Sequence, residues 1–94
     1  MDADAQKLLL QRLHADWTVV DGHHLSRVFQ FPDFLKALEF VNVLGGIAEE
    51  EGHHPDLLLR WGSVQADIWT HKIKGLSEAD FILAAKADVA FLEA

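Results

Sequence analysis

The sequence predicts an α+β domain: a four-stranded, largely antiparallel sheet with three helices packed on one face, in the order α-β-β-α-β-β-α. Three observations predict it. Two runs of β-forming residues each double back at a glycine-containing turn, Asp21-Gly22 and Gly62-Ser63; a long helical pattern lies between them; and further helical patterns stand at both ends of the chain. With 94 residues, half of them hydrophobic, and only six glycines and two prolines, the chain reads as one folded domain over 1–94 rather than a disordered segment. A domain this short hides only roughly 60 to 65% of the surface its unfolded chain exposes, so self-association is the expected remedy.

The elements follow in chain order. Ala5, Leu9 and Leu13 share one stripe, with Gln6, Lys7, Gln11 and Arg12 left for the wet side, which predicts a first helix over 5–13. Trp17 to Val20 and Leu25 to Phe31 flank the Asp21-Gly22 turn, and Leu25, Phe29 and Phe31 alternate onto one face, as a half-buried hairpin requires. Pro32 suits the first position of a second helix, whose core-facing stripe is expected at Phe34, Leu38, Val41, Gly45 and Ala48 before Gly52 ends it. A further stripe of Phe40, Val43, Leu44 and Ile47 is apolar where a monomer would be polar, so it is expected to form an interface between subunits. Leu57 to Trp61 and Val64 to His71 predict a second hairpin around Gly62-Ser63. Ser77 reads as the N-cap of the last helix with Asp80 at N3, and Ala79, Ile82, Leu83, Ala87 and Ala90 as its buried side.

Eight basic residues stand against 15 acidic ones, a formal net charge of −7 with neutral histidines. That balance disfavours nucleic acid and anionic membranes, which are met by basic surfaces. Cysteine is absent, which removes disulfides and thiolate catalysis. Met1-Asp2-Ala3-Asp4 does not resemble a signal peptide, and no apolar run approaches the roughly 18 residues that span a bilayer, so a cytoplasmic location is expected.

Six histidines are many for this length. His53, His54 and His71 fall where strands begin or end, positions from which side chains reach a cleft. Imidazole exchanges protons near neutral pH, and a positioned acid or base typically contributes on the order of 10² to 10⁴ in rate. Glu49, four residues before His53, is expected to orient that ring, and Asp80 to orient His71. Asp80 also fits a plain helix-capping role. His14, His23 and His24 are read as structural or surface residues. Zinc held by three histidines and a carboxylate is the rival chemistry, but His53 and His54, adjacent in extended chain, point apart, and no helical His-x-x-x-His pair occurs, so no metal is expected. Ser26, Ser63 and Ser77 sit in no nucleophile motif.

The run Glu49-x-x-x-His53-His54-Pro55, followed at fixed spacing by Trp61, His71 and Asp80, resembles the signature of the pterin-4a-carbinolamine dehydratases. The resemblance extends upstream to Trp17 and the Arg27-x-Phe29-x-Phe31-x-x-Phe34 segment. It departs at Gly52, where the family often has Asn, and at Lys74-Gly75-Leu76, where it often has Gly-Gly-Leu. The resemblance implies a three-helix, four-stranded fold and an enzyme, a hydro-lyase, that dehydrates 4a-hydroxytetrahydropterin to quinonoid dihydropterin and so recycles a pterin cofactor. It implies catalytic His53, His54 and His71, and a pterin site that also includes Glu49, Pro55, Thr70 and Asp80, with no metal or organic cofactor and a homodimeric or homotetrameric assembly. A non-catalytic dimerisation or regulatory module of the same fold is the alternative.

Overall fold

A computed structural model describes the whole chain from Met1 to Ala94. Helix α1 (Ala3–Leu10) leads into the hairpin of β1 (Thr18–Val20) and β2 (His24–Gln30); the long α2 (Phe34–Glu51) crosses to the hairpin of β3 (Asp56–Arg60) and β4 (Ser63–Ile68); α3 (Glu78–Leu92) closes the chain. The four strands form one sheet in the order β1-β2-β4-β3, every neighbour antiparallel. The predicted class, element order and helix count are those observed. No helix is long and apolar enough to cross a membrane.

Period-two alternation builds the core. Leu25, Arg27 and Phe29 of β2 lie opposite Ile68, Ala66 and Val64 of β4, and all six are buried. Their neighbours in sequence, such as Ser26, Val28 and Gln65, turn to the other face, which is partly or fully open to solvent. Helices α2 and α3 cover the buried face and pack on each other, while α1 lies beside β1. The second hairpin turns at Trp61-Gly62, one residue earlier than the sequence suggests. Gly62 suits the close approach there: its carbonyl accepts from Phe31 N at 2.8 Å, and an added Cβ would stand a tight 3.2 Å from the Phe31 carbonyl oxygen.

Four expectations about the helices need correction. Helix α1 starts earlier than expected because Asp2 caps it, accepting from Ala5 N at 2.8 Å, and it ends at Leu10 with none of its residues buried. Asp33, not Pro32, begins α2: its carboxylate accepts from Lys36 N at 2.9 Å, so Pro32 precedes the cap. The two stripes of α2 are also partly exchanged, although Ala48 is buried and Val41 packs on the core as expected. Phe40 and Leu44, expected at a subunit interface, join Ala37 and Ala48 in the core, whereas Phe34 is 44% exposed. The cause is aromatic packing. Phe40 lies 4.7 Å from Phe29 and 5.2 Å from Phe31, ring centre to ring centre, and that cluster turns α2 on its axis. In α3, Phe81 and Ala84 are buried while Ala79 and Ile82 face out.

One charged side chain is built into the core. Arg27 is 4% exposed, and its guanidinium lies over the rings of Phe29 (4.3 Å) and Phe91 (5.2 Å). Its partner is Asp88 of α3, at 2.6 Å, and the same carboxylate oxygen accepts from Trp17 Nε1 at 2.7 Å.

Candidate functional site

The strand order decides where the histidines meet. With β4 between β2 and β3, the end of β4, the start of β3 and the start of β2 share one end of the sheet. Helix α2 delivers His53 and His54 to that end, and α3 starts beside it.

Gly52 makes the delivery possible. It caps α2 with φ of 64°, a left-handed conformation that glycine adopts without steric cost, and His53 N then bonds back to Ala48 O at 3.1 Å. The chain reverses there, so helical spacing no longer applies between Glu49 and His53. His53 swings toward α3 and pairs with Asp80, Nε2 to Oδ1 at 2.5 Å. His54 stays over the last turn of α2, its Nε2 2.7 Å from Glu49 Oε2. The expected pairing is therefore wrong for both carboxylates: Glu49 meets His54 rather than His53, and Asp80 meets His53 rather than His71. Pro55 follows and disfavours helical backbone at His54, and the two imidazoles diverge as expected, one to Asp80 and the other to Glu49.

Asp80 is completely buried and fully engaged. Its Oδ2 accepts from Ser77 N at 2.8 Å, closing the N-cap predicted for α3, and from Thr70 Oγ1 at 2.9 Å. Ser77 Oγ supports Thr70 Oγ1 in turn at 2.7 Å, and the Thr70 backbone is bridged to Gly75. Asp80 thus serves two of the roles the sequence held open, helix cap and histidine partner. A carboxylate that only accepts requires the hydrogen on His53 Nε2, which leaves Nδ1 of the neutral ring as the nitrogen able to take a proton. The His53 side chain is 17% exposed, enough for a ligand to reach it.

His71 opens a short 3₁₀ turn over His71–Ile73 directly after Thr70, and it is exposed. Sequence reasoning missed its surroundings. Trp69 lies against it, and His23 and His24 also stand beside Trp69, with ring centres 5.3 and 5.8 Å from the indole. The sequence alone marks these two histidines only as structural or surface residues. Two hairpins can join along either of their edges, and only the β2–β4 seam brings His24 level with Trp69. No cluster of three or more His, Asp or Glu side chains is disposed to hold a metal ion. A groove of about 520 Å³ runs between α2 and the end of α3 past Phe31, Phe40, Val43 and Phe91; it contains no histidine.

Comparisons with known proteins bear on this arrangement. The family model described as Pterin 4 alpha carbinolamine dehydratase matches residues 1–90. A protein of Alkaliphilus metalliredigens provisionally named pterin-4-alpha-carbinolamine dehydratase is 51% identical over 88 residues, covering 94% of this chain and 79% of the relative. Among solved structures, a transcriptional coactivator/pterin dehydratase from Brucella melitensis superposes with a TM-score of 0.89 at 28% identity, covering 96% of each chain. A pterin dehydratase-like protein described as a RuBisCO assembly factor of the alpha-carboxysome shares the fold, with a TM-score of 0.71 at 22% identity over 83% of this chain and 92% of that one.

Proposed function

The chain belongs to the pterin-4a-carbinolamine dehydratase family, and we propose that it acts as a dehydratase, converting 4a-hydroxytetrahydropterin to quinonoid dihydropterin and water in the recycling of a pterin cofactor. The observation that carries this reading is the His53–Asp80 pair, a partly accessible imidazole backed by a buried carboxylate that is itself held by Thr70 and Ser77.

The reaction needs one base and one acid. The proton on N5 must leave, its electron pair forming the C4a=N5 double bond, while the C4a–O bond breaks and the departing hydroxyl takes up a proton to become water. His53 is suited to accept the N5 proton at Nδ1, because Asp80 holds the hydrogen on Nε2 and stabilises the imidazolium that forms. His71 supplies the proton to the hydroxyl. His54 and Glu49 form a separate exposed pair on the rim and hold the pterin rather than exchange protons with it. Pro55 and Thr70 line the same site, and no metal or organic cofactor takes part.

The deciding experiment generates the 4a-hydroxypterin with a pterin-dependent hydroxylase and follows its dehydration with and without the protein. Acceleration is expected. Its absence would favour a non-catalytic module of the same fold, a reading that gains weight from the assembly factor sharing this architecture. In the same assay, His54→Ala is expected to raise KM several-fold with a smaller change in kcat. A loss confined to kcat would move His54 into the proton-transfer step.

The protein is further proposed to work in the cytoplasm as a homodimer or homotetramer, with neither nucleic acid nor membrane as a partner. Since Phe40 and Leu44 are buried within the subunit, the contact on α2 falls to Leu35 and Val43, eight positions apart and 60% and 53% exposed. Val43→Glu is expected to split the assembly while leaving the far-ultraviolet spectrum unchanged. A wild-type monomer at micromolar concentration in sedimentation, or an intact oligomer in the variant, would refute that interface.

A further inference from the structure

The three histidines at the site are not held alike. Asp80 holds His53 and Glu49 holds His54, but no hydrogen bond reaches the His71 ring. What His71 has is an aromatic neighbour: the Trp69 indole, ring centres 4.5 Å apart and planes inclined at 56°. Trp69 is itself engaged from the first hairpin, 5.3 Å from the His23 ring at 44° and 5.8 Å from the His24 ring at 55°. His23 and His24 are joined to each other, Nδ1 to Nδ1 at 3.0 Å.

We propose that Trp69 is a positioning residue that sets the orientation of the His71 imidazole, and that the His23–His24 pair braces Trp69 from the β1–β2 turn. As a statement about rate, this rests on the dehydratase reading above; as a statement about placement, it does not.

The argument is geometric. An exposed side chain on a 3₁₀ turn is free to occupy several rotamers, yet a proton donor must stand within hydrogen-bonding reach of the atom it serves. A tilted aromatic contact at this distance removes much of that freedom, and since no hydrogen bond engages the ring, both of its nitrogens stay available to a ligand. Trp69 can do this only if it is itself held. It follows Ile68 at the end of β4, and Ile68 pairs with Leu25, so Trp69 lies level with His24 just past the strand end, partly buried against the edge of the core. Only one of two contacting Nδ1 atoms can carry the hydrogen while the other accepts it, so the contact fixes the two rings relative to each other and makes the turn a defined surface for the indole. Three histidines near one another would also suggest a metal, but they are not disposed to hold one.

The test uses the full chain with Trp69→Phe, Trp69→Ala and the double variant His23→Ala/His24→Ala, and two readouts. The first is the position of the His71 ring resonances in proton–carbon spectra without substrate. In Trp69→Ala they should move toward the values of an unstructured histidine as the indole ring current is lost; in Trp69→Phe they should stay shifted, and in the double variant move partway. The second is kcat and KM on enzymatically generated 4a-hydroxytetrahydropterin. Trp69→Ala should lower kcat by about tenfold, with KM changed less than about threefold, and Trp69→Phe should recover most of the rate.

His71 resonances that do not move in Trp69→Ala overturn the placement. Resonances that move without any change in kcat overturn the positioning role, as does an equal loss of kcat in the Phe and Ala variants. If Trp69→Ala does not fold, the double variant on the turn decides, since unmoved His71 resonances there remove the brace. If the wild-type protein does not accelerate dehydration, the functional reading fails by itself and the resonances still decide the placement.

Discussion

Asp88→Ala is expected to destabilise the protein by about 3–5 kcal/mol, which for a small domain is a large part of the roughly 5–15 kcal/mol that separates folded from unfolded chains. The carboxylate of Asp88 is the 2.6 Å partner of a guanidinium that is 4% exposed, and it also accepts the Trp17 indole hydrogen. Removing it strands both donors among apolar side chains, in a place where Arg27 Nε already has no partner. Asp16 cannot substitute, for it stands 4.0 Å from the guanidinium and is itself well exposed. Urea unfolding monitored by tryptophan fluorescence measures the effect. The cause is checked by Arg27→Met/Asp88→Leu, which removes the charge and its partner together and is expected to recover much of the loss, because uncompensated burial of a charge costs more than the pair contributes. A double variant no more stable than Asp88→Ala would show that packing, not charge, governs this site.

The largest effect on activity is expected at His53 and His71. Replacing either with Ala should lower kcat by roughly 10- to 10³-fold, and replacing both should cost less than the product of the single losses, because two groups acting in one proton-transfer step are not independent. The two variants should nevertheless differ in stability. His71 is exposed and its side chain makes no hydrogen bond, so its loss should be nearly neutral for the fold. His53→Ala removes a hydrogen bond from a fully buried carboxylate that keeps only Thr70 and Ser77, and a cost of about 1–3 kcal/mol is expected. Rates should therefore be compared well below the melting temperature of the weaker variant. Wild-type kcat in both single variants would refute the acid–base assignment while leaving family membership intact.

How far these features could be read from the sequence depended on the range of the interaction. Strand alternation and caps are local, and Leu25–Phe29, Val64–Ile68 and the Ser77/Asp80 cap are found where the pattern indicates. The buried side of α2 is only partly legible because two apolar stripes compete on one helix, and the choice is made by Phe29 and Phe31 from another element. In α3 apolar residues surround the axis, so spacing selects no face. The site residues share one end of the molecule, but which carboxylate meets which histidine turned on a single left-handed residue, Gly52, that breaks the spacing between Glu49 and His53. The contact of His23 and His24 with Trp69 could not be anticipated without the strand order.

That strand order also has a kinetic meaning. Each hairpin pairs residues close in sequence and closes a small loop, whereas the β2–β4 seam joins residues between 33 and 43 positions apart, with all of α2 inside the loop. Closing so long a loop is the slow part of a fold like this, because chain entropy is lost before contacts compensate for it. His24 meets Trp69 only across that seam, and His53 meets Asp80 only once α3 has docked on the completed sheet. A chain halted with both hairpins formed would contain every strand and still have no site.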